Sequence, residues 1–345
     1  MRRQTMKRWF LLGFAAASTI LSVSGAVAEP LQKVRTYSQT NYPGFVNYAA
    51  KELGFLEKYG IDPDMKFLPS GGPIVQAAAS KEWDIAFLGA PPAVIGASAL
   101  GVITIGMNYE EAAEHELIGR PDYVAAVQAD PQKLKGAKIF VTTLSTGHYM
   151  FEGCMRKLGV NISDVNIIPS EQTATVSAFA AGQGDIAQVW PPQSTTLKER
   201  GNKPLCNGKE AGLSVATVWV VTQEFAKNHP DLVVKWLKAN NDAIHWMKQD
   251  FERTYALYQK WDAYRGFNLP TAVLREEVVS VSKIIPAEDQ VKLLLPPAPG
   301  EKAYLVKSYE GIADFFIRMG RLKEKPDFRP YVDGSFLQQV VKDGT

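Results

Sequence analysis

Cysteine and histidine are scarce in this chain of 345 residues, with two of the first and four of the second. Neither Cys154 nor Cys206 has a neighbouring Cys or His at metal-ligand spacing. The histidines, His115, His148, His229 and His245, are scattered. No metal site is expected. Charge of one sign is not in excess either: 38 basic side chains face 36 acidic ones, and beyond residue 28 the balance is 34 against 36. That leaves no basic surplus to hold a phosphate backbone, so nucleic acid is not an expected partner. Beyond residue 28 no apolar run is long enough to cross a bilayer. Low-complexity segments and long charge runs are missing, as are a nucleophile elbow, a phosphate loop and a dinucleotide fingerprint. His148 near Ser145 is too local for a triad without an orienting acid. The chain therefore reads as a binder rather than an enzyme, with no catalytic residue and no cofactor.

What is present begins at the N-terminus. Arg2, Arg3, Lys7 and Arg8 precede an apolar run from Trp9 to about Val27, and Ala26-Val27-Ala28 supplies small residues before Glu29. Residues 1–28 read as a cleavable secretory signal peptide, and the periplasm is the expected location. An oxidising compartment permits a disulfide between Cys154 and Cys206, which fall in the same expected lobe; two buried free thiols are the other reading.

A passage then occurs twice. Leu68-Pro69-Ser70, Trp83-Asp84-Ile85-Ala86 and Gly89-Ala90-Pro91-Pro92 form one copy; Ile168-Pro169-Ser170, Gly184-Asp185-Ile186-Ala187 and Val189-Trp190-Pro191-Pro192 form the other. Each reads as strand end, helix, strand and a turn into another helix, which predicts two similar α/β lobes. Strands are expected over 33–39, 64–68, 83–88, 102–106, 138–141, 165–168 and 215–222, with helical periodicity dominating after Gln223. Lobe one is expected to comprise 29–121 and 223–345, and lobe two 122–222. Two crossings, near 120 and 222, would make a hinge closing on a ligand in the cleft.

Open parallel sheets bind at the carboxyl ends of their strands, where helix N-termini favour anions. That places Gln39, Asn41 and Tyr42 of the first turn, Gly71 and Gly72 of the second, and Gly89 and Ala90 of the third on the cleft. Ser145, Thr146, His148 and Tyr149 open a helix in the second lobe and combine capping with donor capacity. Trp190 and Trp219 offer ring surfaces. Tyr109 and Glu110 close the first lobe, where Glu110, Glu111 and Glu114 form an acidic cluster that holds a ligand amine or faces solvent.

These residues, in this order, resemble the periplasmic solute-binding proteins of ABC importers, in the nitrate, sulfonate, taurine and thiamine-pyrimidine group. The carriers are Tyr37-Ser38-Gln39-Thr40, Lys51-Glu52-Leu53-Gly54-Phe55, Ser70-Gly71-Gly72, Leu134-Lys135-Gly136, Ser145-Thr146-Gly147-His148-Tyr149, Val189-Trp190-Pro191-Pro192 and Val218-Trp219-Val220-Val221. The resemblance implies a type II, two-lobed binding protein, a monomer that traps a small anionic or polar solute of sulfonate or taurine type and delivers it to a membrane permease. It departs from the taurine-type pattern at Ala216-Thr217-Val218, where an acidic residue is usual before the tryptophan. A nitrogenous heterocycle or aromatic acid is the alternative ligand. The same fold hosts a pyrimidine synthase, but no cysteine cluster of that kind is present here. A sensory domain would need a linked signalling segment.

Overall fold

The computed structural model describes Met1 and residues 30–344. The expected signal peptide falls almost wholly on residues outside that set, and Leu31–Thr345 form one compact unit. Among the described residues ten strands build two sheets. They are β1 (Gln32–Gln39), β2 (Ile61–Leu68), β3 (Ile85–Gly89), β4 (Ile103–Glu110), β5 (Glu116–Gly119), β6 (Lys138–Val141), β7 (Asn166–Pro169), β8 (Ile186–Val189), β9 (Lys203–Asn207) and β10 (Ala216–Val221). The first sheet has the order β2-β1-β3-β10-β4 and the second β7-β6-β8-β5-β9.

The two orders are the same pattern. In each, four strands run in one direction, and the strand next to the end, which enters just after a crossing, runs antiparallel to its two neighbours. The duplicated passage thus corresponds to a duplicated topology. β10 shows why it sits inside its sheet: all six of Ala-Thr-Val-Trp-Val-Val are buried, as a strand covered on both faces demands.

This pairing corrects the expected crossings. Glu116–Gly119, placed with lobe one in the sequence reading, pairs with β8 and β9 of the second sheet. Ala216–Val221, placed with lobe two, pairs with β3 and β4 of the first. The chain therefore changes sheets over 111–115 and 208–215, before the Arg120-Pro121 and Thr222 signals. Those mark helix starts at Pro121 and Gln223, not boundaries. The short β5 and β9 carry too few residues to show a period of their own.

Helices cover both sheets. The helix Tyr304–Arg318 buries Leu305, Val306, Tyr309, Ile312, Ala313, Phe315 and Phe316, the spacing of one broad apolar face. The return Pro230–Gln249, Phe251–Arg265 and Thr271–Val281 packs into the same core as the first sheet. Cys154, on the helix Thr146–Lys157, is joined by a disulfide to Cys206 on β9, with Cα atoms 6.1 Å apart.

Candidate ligand-binding cleft

The carboxyl ends of β1 and β3 face the carboxyl ends of β6 and β8. Between them lie two adjoining cavities that share Asn41 and Trp190. One, about 160 Å³, is lined by Thr40, Asn41, Pro69, Gln172, Thr173, Trp190, Pro191, Pro192, Gln193, Arg265 and Phe267. The other, about 10 Å³, is lined by Gln39, Asn41, Gly71, Pro92, Glu111, His115, Ser145, Thr146 and Trp190. A space that small is at the limit for one water, so the two sheets stand nearly shut on each other. A larger hollow, about 690 Å³, lies at the amino ends of β1 and β3 beside Lys33, Arg35 and Asp84. None of the residues expected to bind lines it, and we assign it no role.

The turns are fixed by side chains. Gln39 Oε1 accepts from Gly89 N at 2.7 Å, tying the end of β1 to the end of β3. Asn41 Oδ1 accepts from Gly44 N at 3.2 Å. In the second half Gln172 does related work: its Oε1 accepts from Trp190 N (3.2 Å), and its Nε2 donates to Thr142 Oγ1 (2.9 Å). Ser145 is the N-cap of the helix Thr146–Lys157, accepting from His148 N at 3.2 Å and donating to Thr142 O at 2.6 Å.

Glu111 stands where the halves meet. Thr146 Oγ1 donates to Glu111 Oε1 at 2.7 Å, and His115 Nε2 lies 3.4 Å from Glu111 Oε2. The His115 ring packs against Trp190 with centroids 5.1 Å apart. Ser70 Oγ reaches across to Glu171 Oε1 at 3.2 Å, and burial raises the Glu171 carboxyl above its usual range against the pull of that bond.

Arg265 forms the other wall. Its side chain is fully buried; Nη1 donates to Thr40 O (3.0 Å) and Nη2 to Asp262 Oδ1 and Glu277 Oε2 (both 3.2 Å). The guanidinium lies over Phe267 at 4.8 Å and over Tyr258 and Trp261 at 5.3 Å, while Nε has no partner. Tyr258 donates to Glu277 at 2.9 Å, and burial raises the Glu277 carboxyl, with Arg265 opposing.

The structure brings Gln39, Asn41, Gly71, Ser145, Thr146 and Trp190 together on the cleft. It holds Gly89 at the seam: a Cβ there would overlap Thr146 Oγ1 and lie 3.3 Å from Glu111 Oε1. Gly72 faces open space.

The other expected residues are elsewhere. Ala90 is buried in the first turn of its helix. Tyr42 packs edge-on against Tyr109 (5.1 Å), whose hydroxyl donates to Glu114 at 2.8 Å; burial pushes the Tyr109 hydroxyl pKa up. Glu110 is a structural pin, not a cleft residue. It accepts from Ala112 N (3.3 Å) on one crossing, from Val215 N (2.8 Å) and Ser214 Oγ (3.0 Å) on the other, and from the Tyr304 hydroxyl (3.0 Å).

His148 and Tyr149 pack on Phe315 of the helix Tyr304–Arg318, each at 5.3 Å. Burial, helped by Arg321, pushes the His148 pKa down to about 4, so the ring is neutral at pH 7. Beside them Arg318 grips Glu152 with two bonds of 3.0 and 3.1 Å, so this face joins the halves behind the cleft. Trp219 is in the core of the first sheet, donating to Asn47 Oδ1 at 2.9 Å against Phe87.

Residues that sequence reasoning left unassigned include His115, Gln172, Gln193, Arg265 and Phe267. Glu111 was visible only as part of an acidic cluster.

The chain matches the model of the family described as NMT1/THI5 like over residues 40–253. It is 27% identical over 252 residues to the taurine-binding periplasmic protein of Escherichia coli (strain K12), covering 69% of this chain and 77% of that protein. It is 26% identical over 300 residues to a putative aliphatic sulfonates-binding protein of Bacillus subtilis (strain 168), covering 85% of this chain and 84% of that one. Among solved structures, the alkanesulfonate-binding protein SsuA from Xanthomonas axonopodis pv. citri, bound to MOPS, superposes with a TM-score of 0.71 at 19% identity. That match covers 89% of this chain and 99% of SsuA. The fold is the two-lobed α/β fold of periplasmic binding proteins, and the chain belongs to the NMT1/THI5-like family.

Proposed function

We propose that the chain is the extracytoplasmic solute-binding component of an ABC importer. It captures a small polar or anionic organic solute of sulfonate or taurine type between its halves and hands it to a membrane permease. One observation carries this reading: turns from the carboxyl ends of both sheets converge with Trp190 and Arg265 on a single cleft, and its relatives include taurine- and sulfonate-binding proteins. On this reading the signal-like first 28 residues direct it to the periplasm, and the crossings 111–115 and 208–215 act as the hinge. The solute's anionic end meets the Arg265 wall and the Gln193 amide. A second reading, a nitrogenous heterocycle, draws on the paired His115 and Trp190 rings.

Thermal melting across alkanesulfonates, taurine, nitrate, aromatic acids and pyrimidines tests the reading. At a hundred times its dissociation constant a true ligand adds about 2.7 kcal/mol of stability. A rise in melting temperature with sulfonates is expected. A rise with pyrimidines alone moves the assignment to the second reading.

Closure makes its own prediction. Gly89 has φ −70°, so alanine fits the backbone, but its methyl would strike Thr146 and crowd Glu111. Gly89→Ala is expected to hold the halves apart at a cost of about 1–3 kcal/mol to the shut form. Solute affinity should fall by that amount while the fold is kept, and a calorimetric titration showing wild-type affinity refutes it.

A further inference from the structure

The helix Thr146–Lys157 serves both halves. Met150, Phe151, Cys154 and Met155 pack into the core of the second sheet. Tyr149, Glu152 and Arg156 follow one another at i, i+3 and i+7, a separate stripe, and Tyr149 belongs to the core of the first sheet. That stripe meets the helix Tyr304–Arg318 of the first half. Phe315 packs on Tyr149 at 5.3 Å, and Arg318 Nε and Nη2 donate to the two oxygens of Glu152 at 3.0 and 3.1 Å.

The helix Tyr304–Arg318 is tied to the crossings at its start. Tyr304 donates to Glu110 at 3.0 Å, and Ser308 Oγ donates to Ser214 O at 3.4 Å. Arg318 is its last residue, about 21 Å along the axis from Tyr304. That end has the long arm when the halves turn about the crossings. On the other helix Glu152 lies about 9 Å along the axis from Thr146, which meets Glu111 at the cleft. One rigid helix therefore carries a cleft contact in its first turn and a grip on the opposite half two turns later.

The grip is built to be released. The Glu152 side chain is 11% exposed and that of Arg318 47%. A two-bonded guanidinium on a mostly buried carboxylate is the strong form of an ion pair. Arg156 also holds Glu152, at 2.9 and 3.2 Å, but from the same helix. It stays in place however the halves turn, so parting from Arg318 does not strand a bare carboxylate.

We propose that Arg318 and Glu152 are a positioning pair for solute capture. Their bond forms as the halves shut and sets how much of the protein is shut, without touching the solute. The inference rests on the solute-binding reading and assigns part of closure to a contact outside the cleft. A solute held only by the shut form binds in proportion to the population of that form.

The test first reads closure without a solute. Ser70→Cys and Glu171→Cys put thiols where Ser70 Oγ and Glu171 Oε1 meet across the cleft, 3.2 Å apart. The rate at which an added oxidant joins them reports the shut population; Cys154 and Cys206 are buried and already paired. Adding Arg318→Ala is expected to slow the joining roughly 5- to 30-fold, Arg318→Lys less, and Arg156→Ala not at all. Melting of each variant checks that it folds. The same arginine substitutions, without the added cysteines, are then titrated with 2-aminoethanesulfonate and ethanesulfonate. Arg318→Ala should weaken binding by the same factor, chiefly through faster release. Unchanged joining in R318A, an equal fall in R156A, or unchanged affinity for a sulfonate that wild type binds overturns the pair. If neither sulfonate binds wild type while R318A alone slows the joining, the pair stands and the sulfonate assignment falls.

Discussion

Arg265→Ala is expected to destabilise the protein by about 3–5 kcal/mol at neutral pH, because it leaves two buried carboxylates without their cation. Asp262 and Glu277 are 4% and 2% exposed in their side chains, so water cannot replace the guanidinium. The loss has a pH signature. Burial already raises the Glu277 carboxyl above its usual 4.5, and Arg265 is the main opposing influence. Removing it raises that carboxyl further. A folded-state pKa above the unfolded one gives stability that is full at low pH and is lost as pH rises through the folded value. The deficit of the variant should therefore be small below pH 4.5 and widen toward pH 7. Arg265→Lys keeps the charge but loses the planar fork and the stacking on Phe267, so it should fall between. Denaturant unfolding at several pH values measures all of this. A deficit independent of pH would mean that the guanidinium matters through packing alone.

Breaking the Cys154–Cys206 bond comes next in size. The bond closes a loop of 52 residues, and the chain-entropy relation gives about 4 kcal/mol for that length. Both sulfurs are in the core under the second sheet, with the two residues 0% and 2% exposed. The double variant C154A/C206A should lose stability by that order in chemical denaturation. Adding a reducing agent should lower wild-type stability toward the variant and leave the variant unchanged. An identical midpoint for wild type and variant would show that the helix Thr146–Lys157 and β9 hold each other without the covalent tie.

Much of the architecture was legible in the sequence because it is written in local signals. β-branched runs, glycine turns and the repeated Pro-Ser, Asp-Ile-Ala and Pro-Pro elements fix where strands end and helices start, and the cleft turns at Gln39, Gly71, Ser145 and Trp190 follow from that. The errors have a common cause. Glu116–Gly119 and Ala216–Val221 change sheets through pairing between distant segments, which leaves no trace in composition. Trp219 reads the same in a core as on a cleft wall; its partner Asn47 is 172 positions away. Arg265 comes from a helix with no motif, brought to Thr40 across 225 positions. His148 looked like a cap-side donor, and a contact from Phe315 turned it into a packing residue.

The strand order also sets a schedule for synthesis. β5 to β9 are contiguous, so the second sheet is complete once residue 207 has emerged, whereas the first lacks a member between β3 and β4 until residue 221 arrives. The portion made first is thus finished last. A nascent chain cut between β4 and β10 lacks the strand that lies between β3 and β4 and leaves both of those edges unpaired. A peptide spanning 216–221 supplied from outside has the register to fill that gap.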